Sequence, residues 1–128
     1  MNQLDLLIHN QPHSADAEER LIASCLLPGD TSVYDTVRPM LEVEDFYTLR
    51  CQLLYRSIGE LALEGKPLNE VALLEHLKAL QGVDEVGGMA GLMSLMDWAS
   101  TPSEALFFAR TVAEKARLSL KVVNKVLS

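Results

Sequence analysis

The side chains that could carry out chemistry in this chain are few and widely spaced. The three histidines, His9, His13 and His76, share no close spacing with one another or with Cys25 and Cys51. Because zinc sites draw several such ligands from short, regular intervals, the sequence predicts no zinc site. Both cysteines lie among leucines at helical spacing, a pattern that is typical of buried, reduced thiols.

The remaining chemical motifs are also weak. Glu42, Glu44 and Asp45 form an acidic cluster that could hold a cation, although solvated charge at a helix end is the simpler interpretation. No GxxxxGK[ST] or GxSxG motif is present, and the glycines at 87–91 lack the preceding strand and the GxGxxG spacing of a dinucleotide site. We therefore predict no catalytic, cofactor-binding or metal-ligating residue in this chain.

The charge of the chain is unevenly distributed. Its 128 residues include eleven Lys and Arg against eighteen Asp and Glu, which gives a net charge of −7. Residues 103–128 hold five basic and two acidic side chains, so this segment carries +3 and the first 102 residues carry −10. Such an acidic body argues against broad electrostatic binding of nucleic acid or of an anionic membrane.

The spacing of apolar residues predicts an all-α fold, a compact bundle of about five short helices followed by a long C-terminal helix. We expect the first helix to begin near Ser14, Thr31 or Ser32 to cap the second, Asn69 to open a later helix and Gly82 to end it. Alternation with a period of two, which would indicate strands, is absent beyond trivial stretches.

This pattern divides the chain into three predicted parts. Residues 1–11 are predicted to form a flexible arm, residues 12–100 a globular helical domain and residues 101–128 the long helix. The apolar stretch Leu4–Ile8 is too short for a signal peptide and contains an acid, and no apolar run approaches the ~20 residues of a membrane span. We therefore expect a cytoplasmic protein without a membrane partner.

The last helix carries an apolar stripe whose spacings of four and three are typical of paired helices. Its first half could close the core of its own domain or pair with another helix, whereas its second half predicts an intermolecular contact. Trp98, Phe107 and Phe108 flank the Thr101–Pro102 junction and are predicted to lock this helix to the body. The predicted interface residues are Ala105, Ala109, Val112, Ala116, Leu120, Val123 and Leu127, and a second apolar line contains Leu118, Val122 and Val126.

Several short motifs, in order from Pro12 to about Leu120, resemble the N-terminal domain of bacterial replicative DNA helicases, the DnaB family. The motifs are Pro12-His13-Ser14, Asp45-Phe46-Tyr47, Gly65-Lys66-Pro67-Leu68-Asn69, Val86-Gly87-Gly88 and Thr101-Pro102-Ser103. Gln11 replaces the first proline of the family's Pro-Pro-His-Ser, and the segment before Phe108 is shorter. These departures point to a divergent member.

The resemblance implies a non-catalytic collar domain that assembles the helicase ring and docks primase or a helicase loader. In that family the long helix is the first arm of a hairpin that pairs into dimers, and three dimers form a hexamer. The resemblance also implies that ATP, Mg²⁺ and DNA would be bound by a motor domain outside this chain. The enzyme would then be the whole ATP-dependent DNA helicase that contains such a domain. Two alternatives are a stand-alone adaptor of phage or plasmid type and the helicase-binding domain of a primase.

Overall fold

The computed structural model describes residues 15–99 and 101–127, except for the side chain of Val122, and within these ranges it contains helices and no strand. The all-α prediction is therefore confirmed, although six helices precede the long one in the described residues where about five were expected. The predicted arm and the predicted helix start at Ser14 lie outside the described residues. The helices are α1 (Ala15–Leu26), α2 (Ser32–Val37), α3 (Leu49–Leu63), α4 (Glu70–Ala79), α5 (Val83–Val86), α6 (Gly88–Met96) and α7 (Pro102–Leu127), with 3₁₀ turns at Arg38–Met40 and Val43–Asp45.

Helix α1 lies at the centre of the fold and packs against α7, α3, α6 and α2. Its apolar positions recur at helical spacing, and Leu21, Ile22 and Cys25 are completely buried. Burial of each Leu or Ile side chain contributes about 1.5–3 kcal/mol of transfer free energy. Small residues, including Ala23 on α1 and Ala109 on α7, are also completely buried, which allows helices to approach closely.

The helix starts agree only in part with the predicted caps. Asn69 opens α4 as predicted, because its side-chain oxygen accepts a hydrogen bond of 2.8 Å from the backbone N–H of Ala72. Thr31 occupies the N-cap position of α2, but its side chain makes no capping bond there. The carboxylate of Asp30 instead accepts from the backbone N–H of Ser32 at 2.9 Å.

The end of α4 differs from the prediction that Gly82 terminates it. The helix ends at Ala79, and the residue in the left-handed region is Gln81, with φ of 56°. Gly82 donates its backbone N–H to the carbonyl of Leu77 at 2.9 Å. A Cβ at Gly82 would lie 3.3 Å from a methyl of Leu77 and 3.4 Å from one of Leu53, so glycine permits close packing at this position.

Both thiols are buried, as the sequence predicted, in α1 and α3. Burial raises the pKa of Cys25 and that of Cys51 from 9.0 to about 12. Because burial favours the neutral thiol, the folded chain holds these protons more tightly than the unfolded chain. The contribution of the thiols to the free energy of unfolding is therefore complete below pH 9 and falls as pH rises towards 12.

We expect neither Cys25 nor Cys51 to react with an aromatic disulfide reagent at pH 8 while the chain is folded, because the reagent needs an accessible thiolate. Both should react within the mixing time in concentrated urea, and the absorbance of the released thiol measures the difference. Rapid reaction of either cysteine without urea would contradict the buried placement.

Candidate interaction surface

The first half of α7 lies against the body of the same chain. Ala105 and Ala109 are completely buried and Val112 nearly so, and α7 packs against α1 and α2. Of the two alternatives for this half, the structure shows that it closes the domain's own core. These three predicted interface residues therefore belong to the core of the domain instead, because they are already buried within the single chain.

The second half of α7 extends beyond that core. We call Ala116, Leu120, Val123 and Leu127 the α7 stripe; Leu120 is 60% exposed and Leu127 is 68% exposed, while the other two are half-buried. From Glu114 to Leu127 the helix runs about 21 Å at 1.5 Å per residue. Exposed Leu118 and Val126 lie on the same half of the helix. A partner surface would remove this apolar area from water.

The polar side of α7 is exposed along its whole length. Its basic residues beyond the core suit the negative end of the helix dipole, with Lys125 in the last turn. An isolated helical extension of this kind gains little from tertiary packing, so a neighbouring helix would stabilise it. The exposed polar residues are Arg110, Glu114, Arg117, Lys121 and Lys125.

The three aromatic residues at the junction behave differently from one another. The guanidinium of Arg20 on α1 lies 4.6 Å from the ring centroid of Trp98 and 5.9 Å from that of Phe108. These contacts connect α1 to the end of α6 and to α7. Phe107 is 62% exposed and stacks edge-on against Phe108 at 5.5 Å, so it does not lock the helix to the body.

The acidic cluster has a structural use. The backbone N–H of Glu42 donates to the carboxylate of Asp45 at 2.8 Å, and the carboxylate of Glu42 accepts from the backbone at Asp45. This reciprocal capping box begins the second 3₁₀ turn. Within residues 15–99 and 101–127, no three His, Cys, Asp or Glu side chains are grouped so that they could hold a metal ion.

A shallow groove of about 400 Å³ lies between α2 and α3. Tyr34, Tyr55 and Gly59 line it together with both basic and acidic side chains, and the hydroxyl of Tyr55 donates to the carbonyl of Leu41 at 3.3 Å. Among the described residues that line this groove, no serine, threonine or cysteine lies beside a histidine that could act as its base. Its described lining therefore consists of aromatic and aliphatic side chains that pack against one another, with basic and acidic side chains at the rim.

Two important contacts were missed in the sequence. Glu18 lies in the first turn of α1, where an acid suits the helix dipole, but it is 2% exposed and its carboxylate accepts from the backbone N–H groups of Tyr47 and Thr48. A signal was available, because Glu18 precedes the buried Leu21 and Ile22 by three and four residues. No local signal could connect Arg20 with Trp98, which is distant in the chain.

In the part of the chain that the structure describes, no helix combines the length and apolar character needed to span a membrane.

Comparison with known proteins extends these observations. The DnaB-like helicase N terminal domain model matches residues 10–114. The replicative DNA helicase DnaB of Treponema pallidum is 30% identical over 118 residues, which are 91% of this chain and 26% of that protein. The Geobacillus stearothermophilus helicase of the same name is 29% identical over 107 residues, 84% of this chain and 23% of that protein. The chain thus spans about a quarter of the length of these curated relatives.

A solved structure shows the same arrangement of helices. The crystal structure of the N-terminal domain of DnaB helicase from Mycobacterium tuberculosis matches with a TM-score of 0.80 and 30% identity, over 88% of this chain and 80% of that one. The family model covers most of the chain, including α1 to α6 and the buried half of α7. The chain therefore belongs to the DnaB-like helicase N-terminal domain family.

Proposed function

We propose that this chain serves as the non-catalytic N-terminal domain of a replicative DNA helicase and helps to assemble the helicase ring. The observation that carries the proposal is the family match over residues 10–114, which is supported by the crystal structure that shares its fold. The relatives reported above are helicases, which favours this function over a primase domain or a free adaptor.

In this proposal the α7 stripe is the assembly surface. Its residues are spaced by four, three and four along one face, and the two leucines are mostly exposed. The stripe would form the first arm of a helical hairpin that pairs with a second copy. Primase or a helicase loader would dock on the resulting collar, while ATP, Mg²⁺ and DNA would be bound by the motor domain of the whole helicase.

We expect the 128-residue chain to self-associate, and Leu120→Asp or Val123→Asp to weaken that association by at least about tenfold, because each places a charge in an apolar contact. Light scattering across a concentration series measures the change. Lys121→Ser is the matched control, since it also changes the net charge by −1 but lies on the exposed polar side of α7.

A strictly monomeric chain at high concentration, or equal loss of association in Lys121→Ser, would contradict the assembly role of the α7 stripe. A circular dichroism spectrum of each variant establishes that α7 remains helical, so a loss of association is assigned to the contact rather than to unfolding.

Two further measurements separate the alternatives. The purified chain should hydrolyse no ATP, and hydrolysis at a helicase-like rate would overturn the non-catalytic assignment. An open reading frame that continues past codon 128 into a GxxxxGK[ST] segment would support the helicase domain, because that motif cradles nucleotide phosphates. A stop codon at that point would instead support the adaptor.

A further inference from the structure

The groove between α2 and α3 is separate from the α7 stripe. It belongs to the body of the chain, and no described residue of α7 lines it. Its volume of about 400 Å³ falls within the range of about 300–1,000 Å³ that is usual for binding pockets in proteins. Leu63 in its lining is 90% exposed, so a large aliphatic side chain faces water at a place that no other part of the described chain covers.

Two tyrosines form one wall of the groove. The ring centroids of Tyr34 and Tyr55 lie 5.6 Å apart. Gly59 allows the ring of Tyr34 to rest on α3, because a Cβ at this position would lie only 2.7 Å from the Tyr34 hydroxyl oxygen. The hydroxyl of Tyr55 already donates to the carbonyl of Leu41. The Tyr34 hydroxyl is therefore the group on this wall that can donate to a ligand.

Arg38 supplies a second donor beside this hydroxyl. It follows Tyr34 by one helical turn, and its backbone N–H donates to the Tyr34 carbonyl, so the two side chains lie on the same side of the helix. Within residues 15–99 and 101–127, neither the Tyr34 hydroxyl nor the Arg38 guanidinium has a hydrogen-bond or ion-pair partner. Desolvation raises the pKa of Tyr34, with the charge of Arg38 acting in the opposite direction, so the hydroxyl keeps its proton at neutral pH.

The acidic side chains of the groove already have partners. The carboxylate of Glu60 lies 3.1 Å from Nε2 of His76 and 3.6 Å from Nε of Arg56. The carboxylate of Glu42 accepts a backbone hydrogen bond in its capping box. The unpartnered donors thus favour a ligand with one negative charge, whereas the net charge of −10 on residues 1–102 would repel a polyanion.

The shape of the groove favours a peptide over a small molecule. Small-molecule sites enclose most of the surface of their ligand, which a shallow groove does not. A peptide instead lies along an open surface and places single side chains into it. Tyr34, Val43 and Leu63 offer aromatic and aliphatic contacts to such a side chain.

We propose that this groove binds a short peptide segment of a partner protein in which an apolar side chain lies next to an aspartate or glutamate. The apolar side chain packs against Tyr34, Val43 and Leu63. The carboxylate accepts from the guanidinium of Arg38 and from the hydroxyl of Tyr34. Because no described lining residue belongs to α7, this contact does not depend on self-association of the chain.

The test uses the whole 128-residue chain and the capped peptide acetyl-Gly-Phe-Asp-Leu-Gly-amide, whose aspartate carries its single charge. In an NMR titration, the backbone amide resonances of α2 and of the second half of α3 should shift in a saturable manner. The same peptide with asparagine in place of aspartate should bind about three- to tenfold more weakly, because it loses a charge-assisted hydrogen bond. ATP, a polyanion, should leave these resonances unchanged.

Substitutions in the groove test the two donors separately. Arg38→Gln should weaken binding of the aspartate peptide about three- to tenfold, and Tyr34→Phe about two- to fivefold. Arg110→Gln is the matched control, because it removes the same charge from the exposed polar side of α7, and it should bind as tightly as the wild type. Gly59→Ala adds a methyl group inside α3, where alanine favours the helix, and should weaken binding because that group displaces the Tyr34 hydroxyl.

Equal affinity for the aspartate and asparagine peptides, or unchanged affinity in Arg38→Gln and Tyr34→Phe, would overturn the proposal. The absence of any saturable shift would also overturn it. If the same resonances shift with the concentration of the chain in the absence of peptide, a second copy occupies the groove and the peptide proposal is wrong. Thermal unfolding followed by circular dichroism establishes that each variant is folded.

Discussion

Replacement of Glu18 by alanine is expected to lower the free energy of unfolding by about 3 kcal/mol, because it leaves buried backbone donors without a partner. The carboxylate accepts the backbone N–H of Tyr47 at 3.0 and 3.1 Å and lies 3.5 Å from that of Thr48. These donors belong to the turn that leads into α3. The bonds hold the turn against α1, next to the buried ring of Phe46.

Urea denaturation followed by circular dichroism measures this loss. Glu18→Gln keeps one acceptor and should cost roughly half as much, since hydrogen bonds to a charged group are about twice as strong as neutral ones. Glu19→Gln is the matched control, because the neighbouring carboxylate is about a quarter exposed and pairs with Arg50 at the surface. Its cost should stay below about 1 kcal/mol. Equal stability of Glu18→Ala and the wild type would contradict the burial of this carboxylate.

Ala109→Leu is expected to destabilise the chain by about 2–3 kcal/mol, because a completely buried position has no room for three more carbon atoms. Ala109 lies on the half of α7 that packs against α1 and α2. The larger side chain would push α7 away from the body, or force neighbouring side chains out of their preferred rotamers. The free energy of unfolding in urea gives the effect.

Ala116→Leu provides the matched control on the same helix. Position 116 is one heptad further along the stripe and is half-exposed, so the same substitution should change stability by less than about 0.5 kcal/mol. The measurement is made at low protein concentration so that self-association does not contribute. Equal costs at Ala109 and Ala116 would contradict the difference in burial between the two halves of α7.

Much of the fold could be predicted because it depends on local patterns. The helical spacing of Leu21, Ile22 and Cys25 identified the buried face of α1, and Asn69 marked the start of α4 through its capping chemistry. Helix ends were less accurate. Gln81, rather than Gly82, takes the left-handed conformation after α4, and a Cβ at Gly82 would lie 3.3 Å from a methyl of Leu77.

The candidate site could be predicted only in part. The spacing along α7 identified one apolar face, and the exposed leucines of the α7 stripe lie on it. The same pattern continues through Ala105 and Ala109, which the body of the chain covers. Periodicity reports which face of a helix is apolar, but it does not report what lies opposite that face.

By itself the sequence determined the helical class, the continuous final helix, the absence of recognisable catalytic motifs and the resemblance to the helicase domain. Tertiary structure decided which half of α7 belongs to the core, why Glu18 is buried and where Arg20 lies relative to Trp98. The physical reason is the range of the interactions. Helix formation and capping depend on neighbours within four residues, whereas burial and ion pairing depend on residues that only the folded chain brings together.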